Sequence, residues 1–302
     1  MANVLDDLVK LLALEKIEEN LFRGQSQDLG WGTVFGGQVL GQALSAATQT
    51  VPAERDAHSL HAYFLRPGDV SKPIVYDVDR IRDGGSFTTR RVVAIQSGHA
   101  IFNMAVSFQK SEQGFEHQDP MPPTPAPESV PTERARILGA GDGLPEELPK
   151  ELPKELIEEL IERFGRPRPF EVRPIEAIDH PLSPTPKPAH RRVWLRTIAP
   201  LPDDPPIHQA LLAYASDHGF LATALFPHGI TIFGNTIHAA SLDHVMWFHA
   251  PFRADQWLLH VMDSPAARGG RGLVRGRIFT QDGRLVASTA QEGMIRPRRE
   301  RR

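Results

Sequence analysis

The chain has 302 residues, of which 40% are hydrophobic, and its 34 basic and 37 acidic side chains leave a formal net charge of −3. This length and apolar content can bury a large core, so the composition indicates a globular protein. A net charge near zero produces no overall electrostatic field that would attract nucleic acid. The absence of cysteine excludes disulfides, thiolate metal sites and a cysteine nucleophile. We therefore expect a cytoplasmic protein without a nucleic-acid partner.

The two ends of the chain carry little information about function. The first residues, MANVLDDLVK, contain two aspartates where a secretory signal would carry positive charge. No apolar run approaches the ~18 residues that a membrane span needs, so no membrane span is expected. We interpret the basic cluster RPRRERR, at residues 296–302, as a solvated tail.

The first half of the chain alternates one apolar helical segment with strands. The segment VFGGQVLGQALSAATQTV (34–51) is apolar around its whole circumference, which predicts a helix wrapped by a sheet. The aromatic strand YFLRP (63–67) follows. Further along, the runs RRVVAIQ and AIFNMAVSF flank Ser97 and Gly98, a pattern typical of a β-hairpin turn.

Between about residues 113 and 169 the composition shifts to Pro, Glu and Lys, which predicts a linker. Within it, ELIEELIERF (155–164) has apolar residues at helical spacing, so we expect one short amphipathic helix there. The predicted organisation is an N-terminal unit at 1–112, this linker at 113–169, and a C-terminal unit at 170–302.

The second half repeats the pattern of the first. A helical segment, IHQALLAYASDHGFLATAL (207–225), precedes the aromatic strand WFHAP (247–251), and the runs LVRGRIF and RLVASTA flank Asp282 and Gly283. The spacing from Pro67 to Gly98 is one residue shorter than that from Pro251 to Gly283. A duplicated α+β unit follows, and two units that each wrap a curled antiparallel sheet around one long helix form a double hotdog fold.

Six blocks of the sequence, in the same order, resemble the type II acyl-CoA thioesterases. The blocks are VFGGQVLGQAL, HSLHAYFLRPGD, GFEHQ, YASDHGFL, SLDHVMWFHAPF and TQDGRLVASTAQEG. The resemblance implies hydrolysis of acyl-CoA to a free acid and coenzyme A, without a metal or an organic cofactor. It also implies a catalytic set of Asp217, Ser241 and Gln291.

The two copies differ where this set lies. On the strand LVASTAQEG, Gln291 shares a face with Leu285, Ala287 and Thr289, and aligning Gly98 with Gly283 places Val106 opposite Gln291. The same comparison places Asp217 in the region where the first copy has Gly36, Gly37 and Gln38, without a carboxylate. The copies are therefore predicted to have diverged in chemistry.

These residue types suit hydrolysis by water. A carboxylate such as Asp217 can take a proton from water, and a hydroxyl and an amide can hold the water oxygen. Backbone N–H groups at a helix start can bind the thioester carbonyl, a role that we assign to Gly36, Gly37 and Gln38. His58 is predicted to contact the substrate as well.

The same residue types allow other interpretations. Ser241, Asp243 and His244 contain the residue types of a hydrolase triad, but adjacent strand residues point to opposite faces. The histidines show no metal-ligand spacing such as H-E-x-x-H, so no metal site is predicted. An acyl-CoA hydratase or dehydratase, using Asp217 and His218, and a non-catalytic acyl-CoA binder stay open as alternatives. We expect a homodimer or homotetramer.

Overall fold

The computed structural model describes residues 4–138, 165–176, 185–232 and 236–298. The helix predicted at 155–164 and the end of the basic tail lie outside these ranges. The helices are α1 (Val4–Leu12), α2 (Gly36–Thr48), α3 (Glu133–Leu138) and α4 (Pro205–Ser216), with short 3₁₀ helices at Pro127–Ser129 and Leu221–His228.

The strands of the first unit are β1 (Glu15–Glu18), β2 (Leu21–Gly24), β3 (Arg55–Phe64), β4 (Ile74–Asp83), β5 (Phe87–Gln96) and β6 (His99–Lys110). Those of the second unit are β7 (Phe170–Pro174), β8 (His190–Thr197), β9 (Ile237–Ser241), β10 (Asp243–Phe248), β11 (Leu258–Arg268), β12 (Arg271–Thr280) and β13 (Leu285–Pro297). Among the described residues these strands form one antiparallel sheet in the order β1-β2-β4-β5-β6-β3-β10-β13-β12-β11-β8-β7, and β9 pairs with β13.

The strand order reads as two copies of one unit joined edge to edge. In each copy a strand that follows the central helix, β3 in the first unit and β10 in the second, lies at the junction, and these two strands pair antiparallel with Leu60 opposite Met246. The prediction of a double hotdog is confirmed by this arrangement. Because the joining strands close off each other's open edge, the two units share one continuous sheet.

Both predicted hairpins form. Ser97 and Gly98 have φ values of 50° and 77° and connect β5 to β6, as a two-residue hairpin turn requires. The second connection, between β12 and β13, is longer, and Gly283 has a φ of 91°. Its ends are closed by a hydrogen bond from Thr280 N to Arg284 O.

The central helices α2 and α4 pack against each other in antiparallel directions. A Cβ on Gly37 would collide with the carbonyl oxygen of Tyr214, and one on Gly41 would lie 2.9 Å from the carbonyl oxygen of Ala210. Glycine at both positions therefore lets the two backbones approach closely. This contact brings the start of α2 beside the end of α4.

The second helix is shorter than predicted. α4 ends at Ser216, and the residues up to Leu225 do not continue it. Gly219 has a φ of 65°, a left-handed conformation that redirects the chain just after the helix. The comparison of Asp217 with the region of Gly36 to Gln38 was also wrong, because these residues occupy opposite ends of their helices. Asp217 lies near that region because the helices are antiparallel.

The described part of the linker is packed onto the second unit. Gln118 donates to Gly283 O at 2.8 Å and accepts from Leu285 N at 3.0 Å. Trp194 Nε1 donates to Pro125 O at 2.9 Å, and Val130 belongs to the same buried cluster as Trp194. The proline-rich segment therefore covers one face of the strands of the second unit, and its carbonyl groups accept hydrogen bonds there.

Candidate functional site

The start of α2 and the end of α4 meet at one carboxylate. Asp217 is the C-cap residue of α4, with φ −81° and ψ −13°. A Cβ on Gly36 would lie 2.7 Å from Asp217 Oδ2, so the carboxylate sits against the first residue of α2. The carboxylate therefore adjoins both the N-terminal end of α2, which carries a partial positive charge, and the C-terminal end of α4, which carries a partial negative charge.

A chain of hydrogen bonds joins Asp217 to the last strand. Gln291 Nε2 on β13 donates to Ser241 Oγ at 2.6 Å, and Ser241 Oγ donates to Asp217 Oδ1 at 3.4 Å. Ser241 is the last residue of β9 and pairs with Gly293, which brings it next to Gln291. The structure therefore brings together all three residues of the predicted catalytic set.

His244 extends this chain into the core. Its Nδ1 lies 2.6 Å from Gln291 Oε1, and its Nε2 lies 2.9 Å from Ser216 Oγ. The side chain is fully buried, and burial lowers the pKa of His244, although the charge of Asp217 and the bond to Gln291 act in the opposite direction. The imidazole is accordingly neutral near pH 7.

Strand alternation predicts that Asp243 and His244 lie on opposite faces of the sheet, and the structure confirms this. Asp243 Oδ1 accepts a hydrogen bond from Glu292 N, away from the imidazole of its neighbour. The contact between His244 and Gln291 was missed. A signal for it exists: aligning Tyr63 with Trp247 places Leu60 opposite His244, and Leu60 pairs with Val106, the residue that aligns with Gln291.

A second buried histidine lies behind the site. His260 on β11 contacts Thr289 Oγ1 at 3.3 Å, and the ring of Phe220 packs against both His244 and His260. Burial lowers the pKa of His260 to about 3, with smaller contributions from Arg191 and His244. This imidazole is also neutral near pH 7.

The start of α2 provides backbone donors on the other side of Asp217. The N–H groups of a helix's first turn have no acceptor within the helix and point along its axis. Gln38 is an exception, because its N–H donates to Phe35 O at 3.0 Å. Of the other two residues of the predicted set, Gly36 lines the cavity described below, whereas Gly37 is buried and is absent from the described residues that line it.

The side chain of Gln38 has a structural role instead of the predicted contact with substrate. Its Nε2 donates to Gln25 O at 2.9 Å, and its Oε1 accepts from Gln27 N at 3.1 Å. These bonds hold the segment after β2 against α2. The structure thus contradicts the prediction that Gln38 binds the thioester carbonyl, since its polar groups are already engaged.

His58 does not lie at the site either. Its Nε2 is 2.8 Å from Ser107 Oγ and its ring contacts Phe87. On β6, Ser107 alternates with the buried Val106 and Phe108, so it points to the other face of the sheet. His58 is absent from the described residues that line the cavity, and the prediction of a substrate contact is contradicted.

A cavity of about 1110 Å³ opens beside the hydrogen-bonded chain. Gly36, Asp217, Ser241 and Gln291 all line it, and apolar side chains such as Val39, Phe102 and Leu195 form other parts of its wall. Ligand sites commonly combine apolar walls with a few convergent polar groups. This volume lies slightly above the usual range of about 300 to 1,000 Å³ for ligand pockets and suits a large substrate with an apolar portion.

In the part of the chain that the structure describes, no group of three or more His, Asp or Glu side chains is placed to hold a metal ion. No helix described there is long and apolar enough to cross a membrane.

The fold and this site together define a double hotdog protein with a polar centre where its two helices meet. Family models agree with that class: the acyl-CoA thioesterase N-terminal domain matches residues 26–109, and acyl-CoA thioesterase matches residues 162–294. Both units of the chain are thus covered.

Individual relatives match nearly the whole chain. Acyl-CoA thioesterase 2 of Haemophilus influenzae is 46% identical over 296 residues, which cover 98% of this chain and 99% of that protein. Human acyl-coenzyme A thioesterase 8 is 40% identical over 95% of this chain and 88% of that protein. A solved structure, acyl-CoA thioesterase II TesB2 from Mycobacterium marinum, is 39% identical with a TM-score of 0.75, covering 96% of this chain and 98% of that one. The chain belongs to the type II acyl-CoA thioesterase family.

Proposed function

We propose that this thioester hydrolase cleaves acyl-CoA with a water molecule that Asp217, Ser241 and Gln291 activate and hold. The observation that carries the proposal is the chain of hydrogen bonds from Gln291 through Ser241 to Asp217 in the wall of the cavity. A carboxylate accepts protons, whereas the hydroxyl and the amide can both accept and donate, so together they can bind and orient one water.

The reaction needs no other nucleophile. Asp217 takes a proton from the water as the oxygen attacks the thioester carbon, and the carbonyl oxygen gains negative charge in the transition state. The N–H group of Gly36, which lines the cavity, would stabilise that charge from the start of α2. The intermediate then releases the thiolate of coenzyme A, which receives the proton from Asp217. The products are the free acid and the thiol.

The duplication gives the fold a second position that corresponds to the active centre, at the start of α4, but the residues there differ. At that position α4 begins with Pro205 and Pro206, which have no N–H to donate. The apolar pair Leu60 and Val106 stands where the second unit has His244 and Gln291. These differences support one active centre for each chain.

The geometry favours hydrolysis over the hydratase or dehydratase alternative. That alternative would use Asp217 and His218 together. His218 also lines the cavity, but its ring lies beside Phe35. Burial alone would raise the pKa of Glu133, but the charges of His218 and Arg191 lower it. Asp217 is connected to Ser241 and Gln291, an arrangement suited to holding water.

Thiol release from acyl-CoA, followed with a thiol-reactive dye, tests the proposal without background because the chain has no cysteine. Asp217→Asn should lower kcat by about 10²- to 10⁴-fold, the usual contribution of a general base. Asp56→Asn, a change at an exposed carboxylate of β3, serves as the control and should leave kcat unchanged. Full activity of Asp217→Asn would refute the role, and an enoyl product in place of free thiol would favour the dehydratase.

The cytoplasmic location and the homodimeric or homotetrameric state stay predictions from the sequence, as do the boundaries at residues 112 and 169. The missing cysteines support a reducing compartment. Light scattering coupled to size-exclusion chromatography measures the oligomeric state, and a monomer would contradict the expectation.

A further inference from the structure

We propose that His244 is a positioning residue, which fixes the amide orientation of Gln291 and thereby directs the hydroxyl of Ser241 toward Asp217. The inference rests on the proposed function and adds a residue to it. His244 is absent from the lining of the cavity among the described residues, so it acts through Gln291 and not on the substrate.

The hydrogen bonds along this chain of residues require one arrangement of protons. Gln291 Oε1 can only accept, so the 2.6 Å contact requires that His244 Nδ1 carry a proton. With the carbonyl end of the amide held in this way, Nε2 faces Ser241 and donates to its Oγ. Ser241 then has its single proton available for Asp217. With the amide turned the other way, Oε1 would compete with Asp217 for that proton.

The other side of the imidazole is compatible with the same tautomer. Ser216 Oγ lies 2.9 Å from both His244 Nε2 and Ala213 O, and its one proton can go to either acceptor; a neutral ring with its proton on Nδ1 leaves Nε2 free to accept it. Burial lowers the pKa of His244, which favours the neutral ring. Ser216 is the last residue of α4, directly before Asp217, so the imidazole connects the helix that carries the carboxylate to the strand that carries the amide.

The first unit shows that the fold itself does not need this polar pair. At the equivalent positions, Leu60 and Val106 are both fully buried and face each other across β3 and β6. Burying an imidazole and an amide costs free energy unless their hydrogen bonds are made, whereas a leucine and a valine carry no such cost. The polar pair is present in the unit that holds Asp217 and Ser241, which points to a role in the reaction.

Two single variants separate positioning from packing. In His244→Asn the amide nitrogen lies two bonds from Cβ, as Nδ1 does, so the donor to Gln291 is retained. In His244→Gln it lies three bonds away, as Nε2 does, and the donor is lost. We expect His244→Asn to keep kcat within about tenfold of wild type and His244→Gln to lose about 100-fold, a loss typical of a misplaced catalytic group. KM should change little in either, because His244 does not touch substrate.

A double-variant cycle provides a test that does not depend on these amides. His244→Leu combined with Gln291→Val recreates the apolar pair of the first unit, so the protein should fold, as thermal unfolding will show. If His244 acts through Gln291, the double variant should have the kcat of Gln291→Val alone within about twofold. Losses that multiply would overturn the proposal, and so would equal kcat values for His244→Asn and His244→Gln.

The two proposals fail in different ways. Full activity of Asp217→Asn refutes the proposed function itself. If Asp217→Asn is inactive but the losses of kcat from the His244 and Gln291 variants multiply, only the role of His244 is refuted.

Discussion

Gln291 Nε2 donates a 2.6 Å hydrogen bond to Ser241 Oγ, and this bond connects the last strand of the sheet to the carboxylate at the end of α4. Gln291 is fully buried, whereas Ser241 is only partly buried and faces the cavity. The amide is therefore held in the core while the hydroxyl it contacts stays accessible to water.

The hydroxyl of Ser241 should be essential for activity, and the additional methyl group of a threonine at this position should not impair it. Ser241→Ala removes the atom that joins Gln291 to Asp217, so we expect kcat to fall by about 100-fold with a small change in KM. Ser241→Thr keeps the oxygen and adds a methyl group that restricts its rotamers, so it should retain at least the wild-type kcat. Thiol release measures both variants, and equal activities of the alanine and threonine variants would contradict the role of the hydroxyl.

The close approach of the two central helices should depend on Gly37. Gly37→Ala places a methyl group against the carbonyl oxygen of Tyr214, and overpacking of this kind costs about 1 to 3 kcal/mol. Gly85→Ala is the matched control, because a Cβ there meets nothing within 4 Å and should change the free energy of unfolding by less than about 0.5 kcal/mol. Urea unfolding compares them, and equal stabilities would show that the helices can move apart freely.

The stability of the protein should fall in mild acid because of His260. Its pKa in the folded state is lowered to about 3, whereas an unfolded histidine titrates near 6.5. Between these values the unfolded chain binds a proton that the folded chain does not, so the free energy of unfolding decreases as pH falls from about 6.5. The slope from one such group is at most about 1.4 kcal/mol per pH unit.

Urea unfolding at pH 7 and pH 5 tests this. His260→Gln removes the titrating group, so the variant should lose about 2 kcal/mol less than wild type between the two pH values. His99→Gln, at an exposed histidine, should lose as much as wild type. A His260→Gln variant whose stability falls in parallel with wild type would argue against the neutral buried imidazole.

Each chain should bind one substrate molecule despite its two units. Pro205 and Pro206 remove the backbone donors of α4, and Leu60 and Val106 leave no polar pair in the first unit. Calorimetric titration with a thioether analogue of acyl-CoA, which cannot be hydrolysed, should therefore give a stoichiometry of one per chain. Two equal sites per chain would contradict the divergence of the units.

Much of the architecture could be predicted from the sequence because it depends on local patterns. The alternation of the strands, the hairpin turns at Gly98 and Gly283, and the apolar central helices follow from short-range preferences of the chain. Their repetition predicted two units, and the comparison of Val106 with Gln291 indicated where the units differ. The catalytic set was predicted by family resemblance, since the three residues are far apart in the sequence.

The neighbours of these residues were decided by the tertiary structure. His58 faces away from the cavity because a β-bulge between Ala57 and Ser59 shifts the alternation of β3, and sequence periodicity does not reveal such a shift. Gln38 is engaged by the segment after β2, a contact made only when the chain folds back onto α2.

Local sequence patterns predict most of the helices and strands and their duplication, because these patterns and turn residues act over a few positions. The contacts of Gly36 with Asp217 and of His244 with Gln291 depend on tertiary packing. The first contact depends on the antiparallel packing of α2 and α4, and the second on the register between β10 and β13. Both are set by the close packing of the whole core, where burial of apolar surface and satisfaction of buried polar groups must be achieved together.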